Sequence, residues 1–218
     1  MPALEISDDT AVLNLGDDEN RFSPEWLETV NGFLDRIESG DAKALVTTGS
    51  SKFYSNGLDL DWLGAHSDRG HWYVGQVQQL LARVLVAPVP TVAAINGHAF
   101  GAGSMLAIAH DFRIMRVDRG YFCFPEADIN IPFTPGMAAL IQAKLTPSAA
   151  IEAMTTARRY GGADAEAIGL VTATASEDKV ASTAVDLVAA LKGKDPGTLQ
   201  AIKSTMFAGA MAALRGKA

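Results

Sequence analysis

The stretch TVAAINGHAFGAGSMLAIAH, residues 91–110, decides how the rest of the chain is read. A strand-like apolar run from Thr91 to Ile95 passes through Gly97, Gly101 and Gly103 into a compact apolar helix from Ser104 to His110. Strand, glycine-rich turn and helix in this order leave unpaired amides and the positive end of a helix dipole near Ala102. Such a place can hold a carbonyl oxygen as it becomes negative. The glycine spacing is G-x-x-x-G-x-G and not the dinucleotide fingerprint G-x-G-x-x-G, no acidic residue ends the next strand about 20 positions on, and no Gly-Lys-Ser/Thr marks a P-loop. A tight turn needed only for close packing is the competing reading of the stretch taken alone.

Working outward, KALVTTG (43–49) reads as a buried strand and SSKFYSNG (50–57) as a loop, in which Asn56–Gly57 is a turn pair that exposes the amide of Leu58. A short helix then begins through Asp59 and Leu60, and Val77, Leu80, Leu81, Val84 and Leu85 mark a longer one stopped by Pro88 and Pro90. Downstream, FRIMRV and GYFCF read as strands joined at Asp118–Arg119; the second ends at Pro125, with the carboxylate of Glu126 immediately after it. Toward the N-terminus, TAVLNL is extended. Ser23 caps a helix with Pro24 in its first turn, and Trp26, Val30, Phe33, Leu34 and Ile37 recur at helical spacing as far as Gly40. Beyond residue 136 the pattern is helical except for LVTATA (170–175), and TLQAIKSTMFAGAMAALRG (198–216) reads as one final helix. Leu199, Ile202, Met206 and Met211 fit it to pack on the core or on a neighbouring subunit. Alternating strands and helices, with no Pro-, Gly- or Ser-rich linker, predict an α/β fold.

The 218 residues, 48% hydrophobic and 20% charged, suit one globular domain. A formal net charge of −7 repels phosphate backbones and anionic membranes, so neither nucleic acid nor membrane is an expected partner. Cys123 is the single cysteine, which excludes an intramolecular disulfide and a Cys-based zinc site, and its expected role is core packing. His66, His71, His98 and His110 show no metal-ligand spacing and are expected to be surface or structural residues, with Asp111 and Asp128 as capping or turn carboxylates. No apolar run approaches the roughly 18 residues of a membrane span, MPALEISDDT does not resemble a signal peptide, and Gly216, Lys217 and Ala218 form no recognised address. These features predict a cytoplasmic protein.

Residues 52–61 resemble the K-x-F-S-x-G-x-D-L loop of the crotonase, or enoyl-CoA hydratase/isomerase, superfamily, and residues 90–132 resemble its P-x-[IV]-A-A-[IV]-N-G-x-A-x-G-[AG]-G…D…P-E-x-x-I segment. ADAEAIGLVTA is similar to the family's later A-x-x-A-x-x-x-G-L-V. The resemblance implies a ClpP/crotonase-like spiral of ββα units over residues 1–136, and a helical region over 137–218 that packs on it and on neighbouring subunits. Together these would form one continuous domain in a homotrimer or hexamer. It also implies an acyl-CoA thioester as substrate, held at its thioester oxygen by the amides of Leu58 and Ala102. Coenzyme A is part of that substrate and no separate cofactor or metal is expected. Lys52 matches a position that meets the coenzyme phosphates, with Ser55, Gly57, Asp59 and Leu60 on the coenzyme-binding loop; a solvated loop lysine is the alternative at Lys52. Phe100, Met105 and Phe133 are candidates for the acyl pocket, with core packing as their alternative.

Hydratases of this family use two glutamates, one to activate water and one to deliver a proton to carbon. One matches Glu126, and the other falls on Met105, whose thioether cannot shuttle protons. A single base suffices to shift the double bond of a 3-enoyl-CoA to trans-2-enoyl-CoA through a dienolate, and an apolar site would raise the pKa of Glu126 toward the useful range. HDFRIMRVDRGYFCFPEADINIP (110–132) is similar to plant peroxisomal 3,2-enoyl-CoA isomerases, which carry one catalytic glutamate at this position. Isomerisation is therefore the expected activity. Hydration or thioester hydrolysis with the same amides, and acyl-CoA binding without turnover, are the alternatives.

Overall fold

The computed structural model describes residues 1–216. Lys217 and Ala218, two of the three positions on which the absence of a targeting address was read, lie outside the described residues. The chain opens with a hairpin, β1 (Ala3–Ser7) and β2 (Thr10–Asn14), turned by Asp8 and Asp9 at positive φ, a backbone region that short polar side chains tolerate. α1 (Pro24–Glu38) follows. The Ser23 hydroxyl accepts from the Trp26 amide at its start, and Trp26, Leu27, Val30, Leu34 and Ile37 form its buried stripe.

The next elements repeat as strand, strand, helix. β3 (Ala44–Thr48) and β4 (Phe53–Ser55) lead to α2 (Leu60–Ala65) and α3 (Gly70–Leu85). β5 (Thr91–Ile95) and β6 (His98–Phe100) lead to α4 (Ala102–Ala109). β7 (Phe112–Arg116) and β8 (Phe122–Cys123) lead to the single turn α5 (Glu126–Ile129). The first strands of the three units lie side by side and parallel, joined by β1, β2 and β9 (Ala173–Ala175) in a six-stranded sheet ordered β1-β2-β3-β5-β7-β9. The second strands make a separate parallel sheet, β4-β6-β8. Each repeat thus steps once along both sheets, the spiral that the resemblance implies.

The C-terminal half contributes α6 (Pro135–Lys144), α7 (Pro147–Thr156), α8 (Gly162–Ala167), α9 (Val180–Ala189), α10 (Pro196–Met206) and α11 (Ala208–Leu214). Val180, Ala184 and Val188 of α9 cover Val46, Val92, Ala94 and Ile114 on one face of the large sheet, while the larger core fills the other. With both faces covered, β5 is buried throughout, which explains its unbroken apolar reading. α6 and α11 touch closely: a Cβ at Gly136 would lie 2.7 Å from the Leu214 Cα.

Four local expectations change. The loop SSKFYSNG contains β4 and the glycine turn contains β6, because a three-residue strand is too short to display a period. GYFCF contributes only Phe122 and Cys123 to the sheet, since Phe124 runs into Pro125, which has no amide for a ladder. The final helix is two helices that part at Phe207, turning Ala210, Met211 and Leu214 inward while Ile202 and Met206 of α10 remain exposed. The strand β1 is an addition: Leu4 and Ile6 pack on the core beneath exposed alternate positions. Among the described residues, no helix is long and apolar enough to cross a membrane.

α10 is tied to the sheet by buried charge. The Lys203 ammonium donates to Asp111 Oδ2 at 2.6 Å and to the Val89 carbonyl at 2.9 Å, and the same carboxylate accepts the Thr91 amide. Asp111 is thus the partner of a buried cation as well as a backbone cap. Lys203→Ala leaves that partly buried carboxylate beside one amide and should cost about 2–3 kcal/mol in denaturant unfolding, a loss Lys203→Arg partly avoids.

Candidate active site

Two peptide units and one carboxylate meet at the ends of the small sheet's strands. The first is Gly57–Leu58. The Gly57 carbonyl accepts from the Phe22 amide at 2.8 Å, and because a trans peptide places its N–H opposite its C=O, the Leu58 amide faces the other way. The second is Gly101–Ala102. The Gly101 carbonyl accepts from the Met105 amide as the first bond of α4, so the Ala102 amide points out of the helix N-terminus. Among the described residues, neither amide donates to a protein acceptor.

Glycine is required where these units approach. Gly57 has φ +78°, and a Cβ there would lie 2.7 Å from both the Ala102 nitrogen and the Phe100 oxygen. Gly101 has φ +52°, and its absent Cβ would stand 3.6 Å from Glu126 Oε1. The loop after β4, the start of α4 and the start of α5 therefore converge within van der Waals reach. They border a cavity of about 380 Å³ whose wall includes Leu58, Ala102 and Glu126, with apolar surface from Leu60, Phe100, Pro125, Ile129 and Ile131.

Glu126 is the first residue of α5 and only 9% exposed. Its Oε2 has no hydrogen-bond partner among the described residues. Burial pushes its pKa up to about 7, against a smaller opposing effect of its own backbone amide. A carboxylate without a partner is costly to bury, and one that titrates near neutrality can take up and return a proton.

Other candidates fall in different places. Leu60 lies on the cavity wall with Phe100, whereas Met105 is buried in α4 and Phe133 packs edge-on against Phe124 at 6.2 Å, both outside the wall. Lys52 is exposed over the Phe53 ring, also outside it. Ser55 is buried; its hydroxyl donates to the Asn20 carbonyl and accepts the Gly57 amide, so it shapes the loop from within. Asp59 caps α2 by accepting the Trp62 amide, while its own amide donates to the Tyr73 hydroxyl.

His110 is fully buried between the Leu106 carbonyl and Thr47, and burial lowers its pKa to about 3, a structural role. His66 stacks on Trp62, and His98 lies among Phe53, Phe100 and Tyr121. Cys123 is buried, as core packing requires, but it also reaches the cavity wall; burial pushes its thiol up to about 11. Among the described residues, no group of three or more His, Cys, Asp or Glu is placed to hold a metal ion.

Sequence reasoning passed over Phe22, whose amide orients the Gly57–Leu58 peptide, and the wall residues Arg21, Ile129, Ile131 and Arg159. Arg21 bonds Glu19 at 2.5 Å and Asp61 at 2.6 Å, joining the segment before α1 to α2 at the cavity wall. The apolar Ile129 and Ile131 were legible only as continuations of the motif around Glu126.

Paired outward amides beside a buried carboxylate whose pKa is raised to about 7 make a candidate site suited to chemistry next to a carbonyl group. The chain belongs to the enoyl-CoA hydratase/isomerase family, whose sequence pattern matches residues 6–217. It is 37% identical over 204 residues to Enoyl-CoA delta isomerase 3 of Arabidopsis thaliana, covering 89% of this chain and 86% of the plant protein. It is 31% identical over 210 residues to a putative enoyl-CoA hydratase of Thermus thermophilus, covering 91% and 80% of the two chains. The apo structure of an enoyl-CoA isomerase of Mycobacterium tuberculosis superposes with a TM-score of 0.91 at 26% identity, over 99% of this chain and 95% of that one.

Proposed function

We propose that the protein is a 3,2-enoyl-CoA isomerase, in which Glu126 moves a proton from C2 to C4 of a 3-enoyl thioester. The thioester oxygen accepts from the Leu58 and Ala102 amides. Glu126, ionised, removes a C2 proton; the electron pair spreads through the double bond and onto the oxygen as a dienolate. The same carboxyl then returns a proton at C4, leaving the conjugated 2-enoyl thioester. Fixed amides lower the dienolate's energy by about 2.7–4 kcal/mol per donor, without which C2 is too weak an acid for a carboxylate.

The observation that carries this reading is the lone Oε2 of Glu126 in a cavity wall shared with both amides. The other wall carboxylate, Asp61, is engaged by Arg21. Where the resemblance places the second glutamate of hydratases, α4 carries Met105, buried and aprotic. The test is incubation with 3-hexenoyl-CoA while the conjugated thioester is followed by ultraviolet absorbance. A product of unchanged mass supports isomerisation, and 3-hydroxyacyl-CoA as main product overturns it. Hydration by the parent should remain a minor activity for the reason given at Met105, as mass analysis of the same mixture will report.

The pH profile follows from Glu126. Its base form is populated only above the raised pKa, so kcat/KM on the acid side should rise about tenfold per pH unit and level off near pH 7. A limb that levels off near pH 4.5 would instead indicate a solvated carboxylate.

A further inference from the structure

Two arginines stand on the cavity wall, and they differ in one respect. Arg21 is neutralised by Glu19 and Asp61. Arg159 has no carboxylate partner among the described residues, although Arg158 beside it binds both Glu152 and Asp164. Its position is built by the fold. Ala157, at φ +49°, ends α7 and sends the chain along the small sheet, where Tyr160 and Phe122 exchange two backbone hydrogen bonds of 2.9 Å. Tyr160 is buried on one side of this segment, and Arg159 emerges on the other with its guanidinium carbon 5.7 Å from the Phe100 ring centroid. Phe100 and Cys123, paired across the small sheet, share that wall. Lys52 and Arg119 face the same sheet: after burial itself, the positive fields of Lys52, Arg119 and Arg159 hold down the pKa of His98. In a chain of net charge −7 this is a local concentration of positive charge beside a cavity whose wall combines apolar side chains with Asp61 and Glu126.

We infer that Arg159 is the anion-recognising residue of the pocket, binding a carboxylate or phosphate oxygen carried by the thioester substrate. The inference rests on the proposed function only in taking a thioester as the occupant of this cavity. An arginine fork lying over an aromatic ring keeps its donors free for such an oxygen. The reach favours a carboxylate at the far end of the acyl chain. Phe100 is two residues from Ala102, whereas the pantetheine arm separates the first phosphate from the thioester by roughly four extended residues, about 13–14 Å. A phosphate would reach Arg159 only if that arm folded back over the sheet.

The test compares three thioesters: 3-hexenoyl-CoA, the CoA monothioester of 3-hexenedioic acid, which adds a terminal carboxylate, and the N-acetylcysteamine thioester of 3-hexenoic acid, which lacks phosphates. For Arg159→Gln the kcat/KM ratio of hexenedioyl to hexenoyl substrate should fall about tenfold or more, the scale of one charge-assisted hydrogen bond, with Arg159→Lys retaining part of it. If instead the ratio of CoA to N-acetylcysteamine thioester falls by that factor, the anion recognised is a phosphate. If neither ratio moves by more than about twofold, the inference is overturned. Calorimetric titration with the saturated thioesters hexanoyl-CoA, adipoyl-CoA and hexanoyl-N-acetylcysteamine gives the same ratios as dissociation constants. Absence of turnover in the parent would therefore refute the proposed reaction and still leave Arg159 decided by binding.

Discussion

Glu126→Gln should slow isomerisation of 3-hexenoyl-CoA by about 10²–10⁴-fold while acyl-CoA affinity changes little, because the amide keeps the side chain's shape but cannot accept a proton. The amides of Leu58 and Ala102, fixed by the Phe22–Gly57 and Met105–Gly101 hydrogen bonds, are untouched by the change. The same substitution should alter stability with a definite sign. A carboxyl whose folded pKa of about 7 lies above its ordinary 4.5 is bound to a proton in the fold when the unfolded chain has released it. Stability from this group is therefore fullest below pH 4.5 and declines as pH rises to 7. Removing the charge should make the Gln variant progressively more stable than the parent across that interval, by up to about 2–3 kcal/mol at pH 8. Denaturant titrations of both proteins at pH 5 and pH 8 measure the difference. A Gln variant that loses rate, binding and stability together would mark Glu126 as structural.

Ala102→Pro should lower kcat by about 10²–10³-fold, the effect of removing one oxyanion donor, whereas Ala102→Gly retains most activity. Proline deletes the amide proposed to meet the thioester oxygen, yet the first position of α4 has no intrahelical acceptor to lose and suits proline's fixed φ. Circular dichroism should accordingly report a folded variant. Full activity in a folded Pro variant would remove Ala102 from the mechanism, and unfolding would shift the test to Gly57→Ala. A Cβ there must displace the Ala102 nitrogen or the Phe100 carbonyl, so it should separate the paired amides and reduce kcat as well.

Chemistry confined to one short segment was readable from residue order. The start of α4 at Ala102, the turn before Leu58 and the carboxylate after Pro125 are determined by neighbours within a few positions, and the structure brings all three to one cavity. Elements stabilised from a distance were not readable. β4 exists because it pairs with β6, and β6 because it lies between β4 and β8, partners distant in sequence, and three residues carry no periodicity of their own. The amide of Phe22 and the side chains of Arg21 and Arg159 reach the site through tertiary packing from segments distant in sequence, so no local motif announces them. The break at Phe207 was masked because good helix formers stand on both sides of it, Lys203 and Met206 before and Ala208 and Ala210 after.

The most direct test of a single-carboxylate shuttle is the fate of the hydrogen removed from C2. Glu126 is almost excluded from solvent, so a deuteron taken from [2-²H₂]-3-hexenoyl-CoA should be returned to C4 in part before it exchanges with water. Single-turnover reaction in ordinary water, followed by mass and NMR analysis, should therefore find deuterium at C4 of the 2-enoyl product. A product whose new C4 hydrogen comes wholly from solvent even at the earliest times would contradict a Glu126 that carries the same deuteron from C2 to C4 shielded from water.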